Sequence, residues 1–274
     1  MNASVFEVEH VDYAYPDGAP ALRDISFTVG AGERVAILGA NASGKSTLLH
    51  LLDGLYFAAG GSVTAFGVRL SEERVETPPF SRVFRQQVGL LFQHADAQLF
   101  NARVDEELAF GPLQLGLAPP QVRQRVDDVL RLLGIEHLRG RSPQRLSGGE
   151  KQKVALGSLL TVAPRVLLLD EPSAGLDPRS QQWLREFLEV LHHSGVTLVT
   201  ASHDLALVPE VADRALVLSE DHRLVGDAPV AQVLGDLDLL LSVNLIHAHA
   251  HAHGELVHVH PHLHEAGHEH PHRR

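Results

Sequence analysis

The chain contains no cysteine. Disulfides and thiolate metal sites are therefore excluded, and such a chain suits a reducing cytosol. Aromatic residues are sparse, with one Trp, three Tyr and ten Phe among 274 residues. Long apolar runs are missing as well. The longest stretches, "RVLLLD" and "LDLLLSVNLI", fall well short of the roughly 20 residues a membrane-spanning helix needs. The opening "MNASVFEVEH" lacks the basic-then-apolar pattern of an export signal. These absences lead to the expectation of a soluble protein, or of one held at a membrane by other chains. Positive charge is also short, with 23 basic against 34 acidic residues and a formal net charge of -11. Binding a nucleic-acid backbone takes clustered Lys and Arg, so no nucleic-acid partner is expected.

What is present is ordinary globular composition, 44% hydrophobic and 21% charged. The length allows one large domain or two modest ones. "VFEVEHVDYAY" and "ALRDISFTV" alternate apolar and polar residues around a "PDG" turn, and read as antiparallel strands. "RVAILG" is a continuous apolar run that stops at a glycine loop, and "GKSTLLHLLDGL" follows with helical spacing. Strand, loop and helix in that order open an α/β unit around a buried parallel strand. Residues 60–92 read as strands and turns, with a loop at "ETPPFSR". Residues 100–160 read as mainly helical; "PPQVRQRVDDVLRLLGI" has a proline start and a glycine stop. "RVLLLDEP" and "VTLVTASHD" are two further buried strands with the amphipathic "RSQQWLREFLEVLHHSG" between them, and "ADRALVLSEDHRLVGDA" is a closing hairpin.

Three stretches carry chemistry. "GANASGKST" comprises Gly39, Ala40, Asn41, Ala42, Ser43, Gly44, Lys45, Ser46 and Thr47. It fits G-x-x-x-x-G-K-[ST] in the strand-to-helix context that motif requires. Its glycines let backbone N–H groups curl around phosphates, and the helix N-terminus adds positive potential. Lys45 can reach the terminal phosphates, and the Ser46 hydroxyl can ligate Mg²⁺. In "RVLLLDEP" a buried strand ends in Asp170 and Glu171, at the sheet edge where ligands bind. Asp170 is read as a Mg²⁺ ligand through its hydration shell, and Glu171 as the group that polarises the attacking water. Alone, that acidic pair would also suit a solvated strand end. In "LSGGEKQKVAL", Ser147, Gly148 and Gly149 precede a helix and offer a second anion-binding N-terminus.

Together these motifs resemble those of the ATP-binding subunit of ABC transporters, and the likeness spans most of residues 4–235. "LSGGE" is similar to the family signature, with Glu150 where Gln is commoner. The resemblance implies a P-loop NTPase cassette: an α/β fold with a parallel-sheet core, an antiparallel β subdomain and a helical subdomain at about 95–160. It places the cassette at 1–245, and implies ATP and Mg²⁺ as cofactors and ATP hydrolysis as the activity. By the same resemblance, Gln93 in "LLFQ" matches the glutamine that senses Mg²⁺ and the lytic water. Asp177 in "SAGLD" matches the D-loop. His203 in "TASHD" matches the switch histidine at the γ-phosphate, and Tyr15 in "YAYPDG" the aromatic that stacks on adenine. Ala42 stands where the family often has glycine and Ala40 where proline is frequent; both side chains are small, so tolerance is expected. The family holds ATP between two cassettes. One phosphate loop and one signature therefore imply a homodimer, or a heterodimer with a related cassette, bound through separate transmembrane subunits at the cytoplasmic face of the membrane. "FQHADAQLFNARVDEELAFGPLQLGL", with residues 98–100 and 104–112, and "YPDG" at 15–18 resemble the energy-coupling-factor class, especially its cobalt and nickel ATPases. Vitamin importers of that class look much alike.

Residues 246–274 form a separate histidine-rich tail. Eleven of the nineteen histidines fall between His247 and His272. Imidazole is a good ligand for Zn²⁺, Ni²⁺ and Co²⁺. The candidate transition-metal ligands are His247, His249, His251, His253, His258, His260, His262 and His264. Spacing of two gives one face if extended, and i, i+4 pairs if helical. The low-complexity composition leads to the expectation of disorder without metal. An expression tag would be an unbroken histidine run. This one is interleaved with Ala, Val, Pro, Leu and Glu, which leaves an inert tail and a metal buffer or sensor as the readings.

Overall fold

A computed structural model describes residues 4–253 and 256–263, with side chains through residue 246. Elements are numbered in chain order. β1 (Ser4–Ala14) and β2 (Pro20–Gly30) pair antiparallel, and β4 (Gly60–Ala65) and β5 (Val68–Arg69) complete a four-stranded sheet in the order β2-β1-β4-β5. Their burial alternates, as a sheet with one covered face requires.

The second sheet holds six strands. β3 (Arg34–Leu38), β6 (Val88–Leu91), β7 (Val166–Asp170), β8 (Thr197–Ser202) and β9 (Arg214–Leu218) run parallel, and β10 (Leu224–Pro229) is an antiparallel edge. The order is β10-β9-β3-β8-β7-β6. β6, β7 and β8 are buried at every residue. That is why they show no alternation of apolar and charged residues: β6 and most of β7 are apolar, and β8 carries only the small hydroxyls of Thr197, Thr200 and Ser202 among its apolar residues.

The helices lie around this sheet. α1 (Lys45–Leu52) follows β3 directly. α2 (Glu72–Glu76) and α3 (Phe80–Gln87) precede β6. The "ETPPFSR" loop expectation is corrected here: Phe80, Ser81 and Arg82 are the first turn of α3. Phe84 one turn on is buried at 1% exposure, and Arg85 donates to the Asp53 carboxylate at the end of α1. Tertiary contacts thus extend a helix from a proline pair that punctuates the sequence.

α4 (Ala95–Gln98), α5 (Val104–Gln114), α6 (Pro119–Leu133) and α7 (Gly148–Leu160) form the helical region, packed on Val122, Val126, Leu130, Val154 and Leu156. α6 ends at Gly134 in the left-handed region, where no Cβ penalty applies. α8 (Pro178–His193) lies between β7 and β8. α9 (Val208–Val211), α10 (Val230–Gly235) and α11 (Leu237–Ser242) close a third apolar cluster around Val208, Val217 and Val233.

In the tail, the backbone of β11 (Ile246–His253) pairs antiparallel with β12 (Leu256–Leu263). Period-two alternation in "IHAHAHAH" and "LVHVHPHL" suits a strand pair. His264 lies outside the described residues, as do the side chains of the other seven candidate metal ligands. No helix among the described residues is long and apolar enough to cross a membrane.

Candidate nucleotide site

The carboxyl edge of the parallel sheet gathers the site. Register sets Leu38 of β3 beside Ser202 of β8, and Ala201 beside Asp170 of β7. The loops leaving β3, β7 and β8 therefore begin at one level, and they carry Lys45, Glu171 and His203. A site at the strand carboxyl ends is where an α/β sheet leaves a crevice.

The loop from Gly39 to Gly44 turns sharply enough to need positive φ at both ends, 155° and 110°. A Cβ on Gly44 would fall 2.3 Å from the Ala21 carbonyl oxygen. Ala42 also sits at φ 64°. The sequence argument about its size is thus incomplete, because a left-handed Cβ costs on the order of 1 kcal/mol whatever the room. Asn41 and Ala42 are exposed, whereas Ser43 is buried. Lys45 is buried and donates to the Gly39 and Ala40 carbonyl oxygens at 2.9 and 3.1 Å. Burial holds its ammonium below the usual lysine range; Glu171, 3.8 Å away, and Asp170 oppose that shift.

Glu171 is 6% exposed, with its backbone at φ 44°. Its Oε1 lies 2.8 Å from His203 Nδ1, and the Ser202 hydroxyl approaches its other oxygen at 3.5 Å. A buried carboxylate fixed by an imidazole can orient a water and accept its proton. Asp170 is also buried, and one carboxylate oxygen, Oδ1, has no hydrogen-bond partner among the described residues. Burial raises its pKa, and a hydrogen bond from Ser46 lowers it. An orphaned buried carboxylate oxygen beside a serine hydroxyl fits the hard-oxygen donor set of Mg²⁺, with phosphate and water completing six positions. Gln93 lies just past the end of β6, is exposed, and makes no hydrogen bond to these groups among the described residues.

Tyr15 is brought to the loop. Its hydroxyl lies 2.6 Å from the Thr47 hydroxyl, and its ring meets Tyr13 and Tyr56 edge-on at 5.5 and 6.2 Å. Two residues here escaped the sequence reading. His222, from the β9–β10 turn, lines a cavity of about 360 Å³ with Tyr15 and Gly44, Lys45, Ser46 and Thr47. His50 of α1 packs between Tyr56 and Phe92, with its pKa lowered by burial and raised by Asp170. Nothing in a lone histidine within "DHR" or "LLHLL" signals such proximity.

The signature stands apart. Ser147 and Glu150 form a capping box at the start of α7: the Ser147 N–H and hydroxyl donate to Glu150 Oε2 at 2.8 and 2.9 Å. These bonds hold the Glu150 carboxyl below the usual range. Gly149 is required by close approach, since a Cβ there would fall 2.2 Å from Ser180 Oγ of α8. Asp177 caps α8 by accepting from the Arg179 and Ser180 N–H groups. Signature and D-loop are thus packed together. Yet Ser147, Gly148, Gly149 and Asp177 line neither the cavity at Lys45 nor the 430 Å³ cavity at Glu171 and His203.

The sequence profile described as "ABC transporter" matches residues 22–174, more than half the chain. The nickel import ATP-binding protein NikO of Rhodobacter capsulatus is 46% identical over 244 residues, covering 88% of this chain and 95% of its own. The energy-coupling factor transporter ATP-binding protein EcfA of Methanothermobacter thermautotrophicus is 38% identical, covering 88% of this chain and 76% of its own. The structure of cbiO1 from Clostridium perfringens, part of the ABC transporter complex cbiONQ, superposes with a TM-score of 0.75 at 33% identity. That match covers 88% of this chain and 95% of the other.

Proposed function

We propose, from the premise that this chain belongs to the ABC transporter family of ATP-binding subunits, that its ATP hydrolysis powers import of a transition-metal ion, nickel or cobalt. The observation that carries the ATP chemistry is the shared sheet edge. Lys45 and the loop N–H groups would take the phosphates, Ser46 and Asp170 would hold Mg²⁺, and Glu171 with His203 would orient water. Mg²⁺ supplies charge neutralisation of the phosphates when bound. Gln93, just past β6, would sense that centre, and Tyr15 would stack on the adenine.

Two cassettes complete the site. The signature of one protomer lies away from its own phosphate loop, which supports Ser147, Gly148, Gly149 and Asp177 acting on ATP held by a second copy or a related cassette.

The cargo reading has three supports: the sequence likeness to a nickel import subunit, the energy-coupling-factor pattern at 98–112, and the tail. Tail register sets His247, His249 and His251 opposite His262, His260 and His258. Imidazole is a good ligand for Ni²⁺, Co²⁺ or Zn²⁺, and this backbone pairing brings six histidine positions close together in the chain's register. Vitamin import is the second reading, favoured by the likeness to EcfA.

An exposed apolar patch in the helical region supports a contact with membrane subunits. Phe100, Phe110 and Leu113 are 62%, 41% and 54% exposed, and the two rings meet edge-on at 4.9 Å. Glu107 is buried beneath them and accepts from the Phe100 and Asn101 N–H groups. A patch held this firmly suits docking at the cytoplasmic face of the membrane.

Affinity purification of this chain from detergent-solubilised membranes tests the assignment. A transmembrane subunit should accompany it in stoichiometric amount. Recovery of the chain alone, as a free regulator with a metal-sensing tail, contradicts it.

A further inference from the structure

The β9–β10 turn places an imidazole where a glycine would fit more easily. His222 has φ 63°, and its backbone is held on both sides: its N–H donates to the Ser219 oxygen at 3.0 Å, and its carbonyl accepts from the Arg23 N–H at 2.8 Å. Strained non-glycine residues of this kind concentrate at ligand sites. Its Nδ1 lies 3.3 Å from the Ser43 carbonyl oxygen, so Nδ1 carries the proton and donates. Nε2 of the neutral ring is then a hydrogen-bond acceptor, and it has no partner among the described residues.

The cavity lining narrows what Nε2 meets. The phosphate loop and the start of α1 supply Ala42, Gly44, Lys45, Ser46 and Thr47, and Tyr15 supplies an aromatic. The remaining lining residues are Ala19, Pro20, Ala21 and His222, three apolar and one polar. A nucleotide seated with its phosphates on the loop and its base at Tyr15 has its ribose between the two. The ribose hydroxyls are donors, and an imidazole acceptor is the complement they need.

We propose that His222 is a sugar-reading residue of the nucleotide site, accepting a hydrogen bond at Nε2 from a ribose hydroxyl. This rests on the cavity being the nucleotide site. The arrangement makes a ribonucleotide the preferred ligand over one that lacks the sugar hydroxyls.

Calorimetric titration with ADP and with 2′,3′-dideoxy-ADP tests it, because ADP is not turned over during the measurement. The full chain should bind ADP about tenfold more tightly than the dideoxy form, the worth of one hydrogen bond that would otherwise go unmade. In His222→Gly, which suits the left-handed backbone, ADP binding should weaken about tenfold and dideoxy-ADP binding should stay unchanged. KM for ATP should rise while kcat holds. Two results overturn the inference: no discrimination by the unaltered chain, or equal weakening of both nucleotides in the variant. Equal weakening would make His222 only a prop for Ser43. Failure of the unaltered chain to bind either nucleotide overturns the nucleotide site itself, and this inference with it.

Discussion

Glu171 meets three constraints at once: a nearly inaccessible carboxylate, a left-handed backbone and a bond to His203. The burial and the backbone are costly, the His203 bond offsets part of that cost, and such strain concentrates where a position does chemistry. Substitution by Gln keeps the shape and the capacity to accept from the imidazole but removes the proton acceptor. Glu171→Gln should therefore lower steady-state ATP turnover by about 100-fold or more while ATP binding persists. Light scattering should show an ATP-dependent dimer, and undiminished turnover would rule out the assigned role. Lys45, Ser46, Asp170 and Glu171 were legible in the sequence because each sits in a short motif whose strand and helix context is local. His222 was not. It reaches Ser43 across 179 positions of chain, and only the placement of β9 beside β3 brings the two together. Ala42 shows the same limit: its size could be read, but its handedness could not.

At the scale of elements, the apolar run of β7 and the uncharged, β-branched stretch of β8 announced both strands, because a strand buried on both faces has no charged side to show. α3 was hidden, since prolines at 78 and 79 read as a turn while its stability comes from Phe84 and from Arg85 bonding to Asp53. The β11–β12 pair lies apart from the nucleotide site in sequence and in sheet order. Deleting residues 247–274 should leave basal ATPase activity unchanged and abolish binding of several Ni²⁺ or Co²⁺ ions per chain in calorimetry. Metal binds neutral imidazole, and protons compete for it. Binding should therefore weaken as pH falls below about 6, under the ordinary imidazole pKa of ~6.5. Equal metal binding with and without the tail would remove the tail from the account.

Across the whole molecule, one arrangement explains both what is complete and what is missing. The sheet edge assembles Lys45, Asp170, Glu171 and His203 in one chain, while the α7 cap with Ser147 and Gly149 lines neither cavity there and packs closely on Ser180 of α8. On the proposed reading, a site split this way is completed by a second cassette, and the exposed Phe100–Phe110 pair is a candidate contact for a membrane subunit. The fold class followed from strand and helix order. The separation of signature from phosphate loop followed only from how α7 and α8 pack. The central claim is that ATP hydrolysis at Glu171 drives metal import. Uptake of radiolabelled nickel and cobalt measures it most directly, in cells whose sole copy of this chain is either unaltered or Glu171→Gln. The account predicts saturable uptake of one of these ions with the unaltered chain and its loss with the variant. Equal uptake in both strains would contradict it.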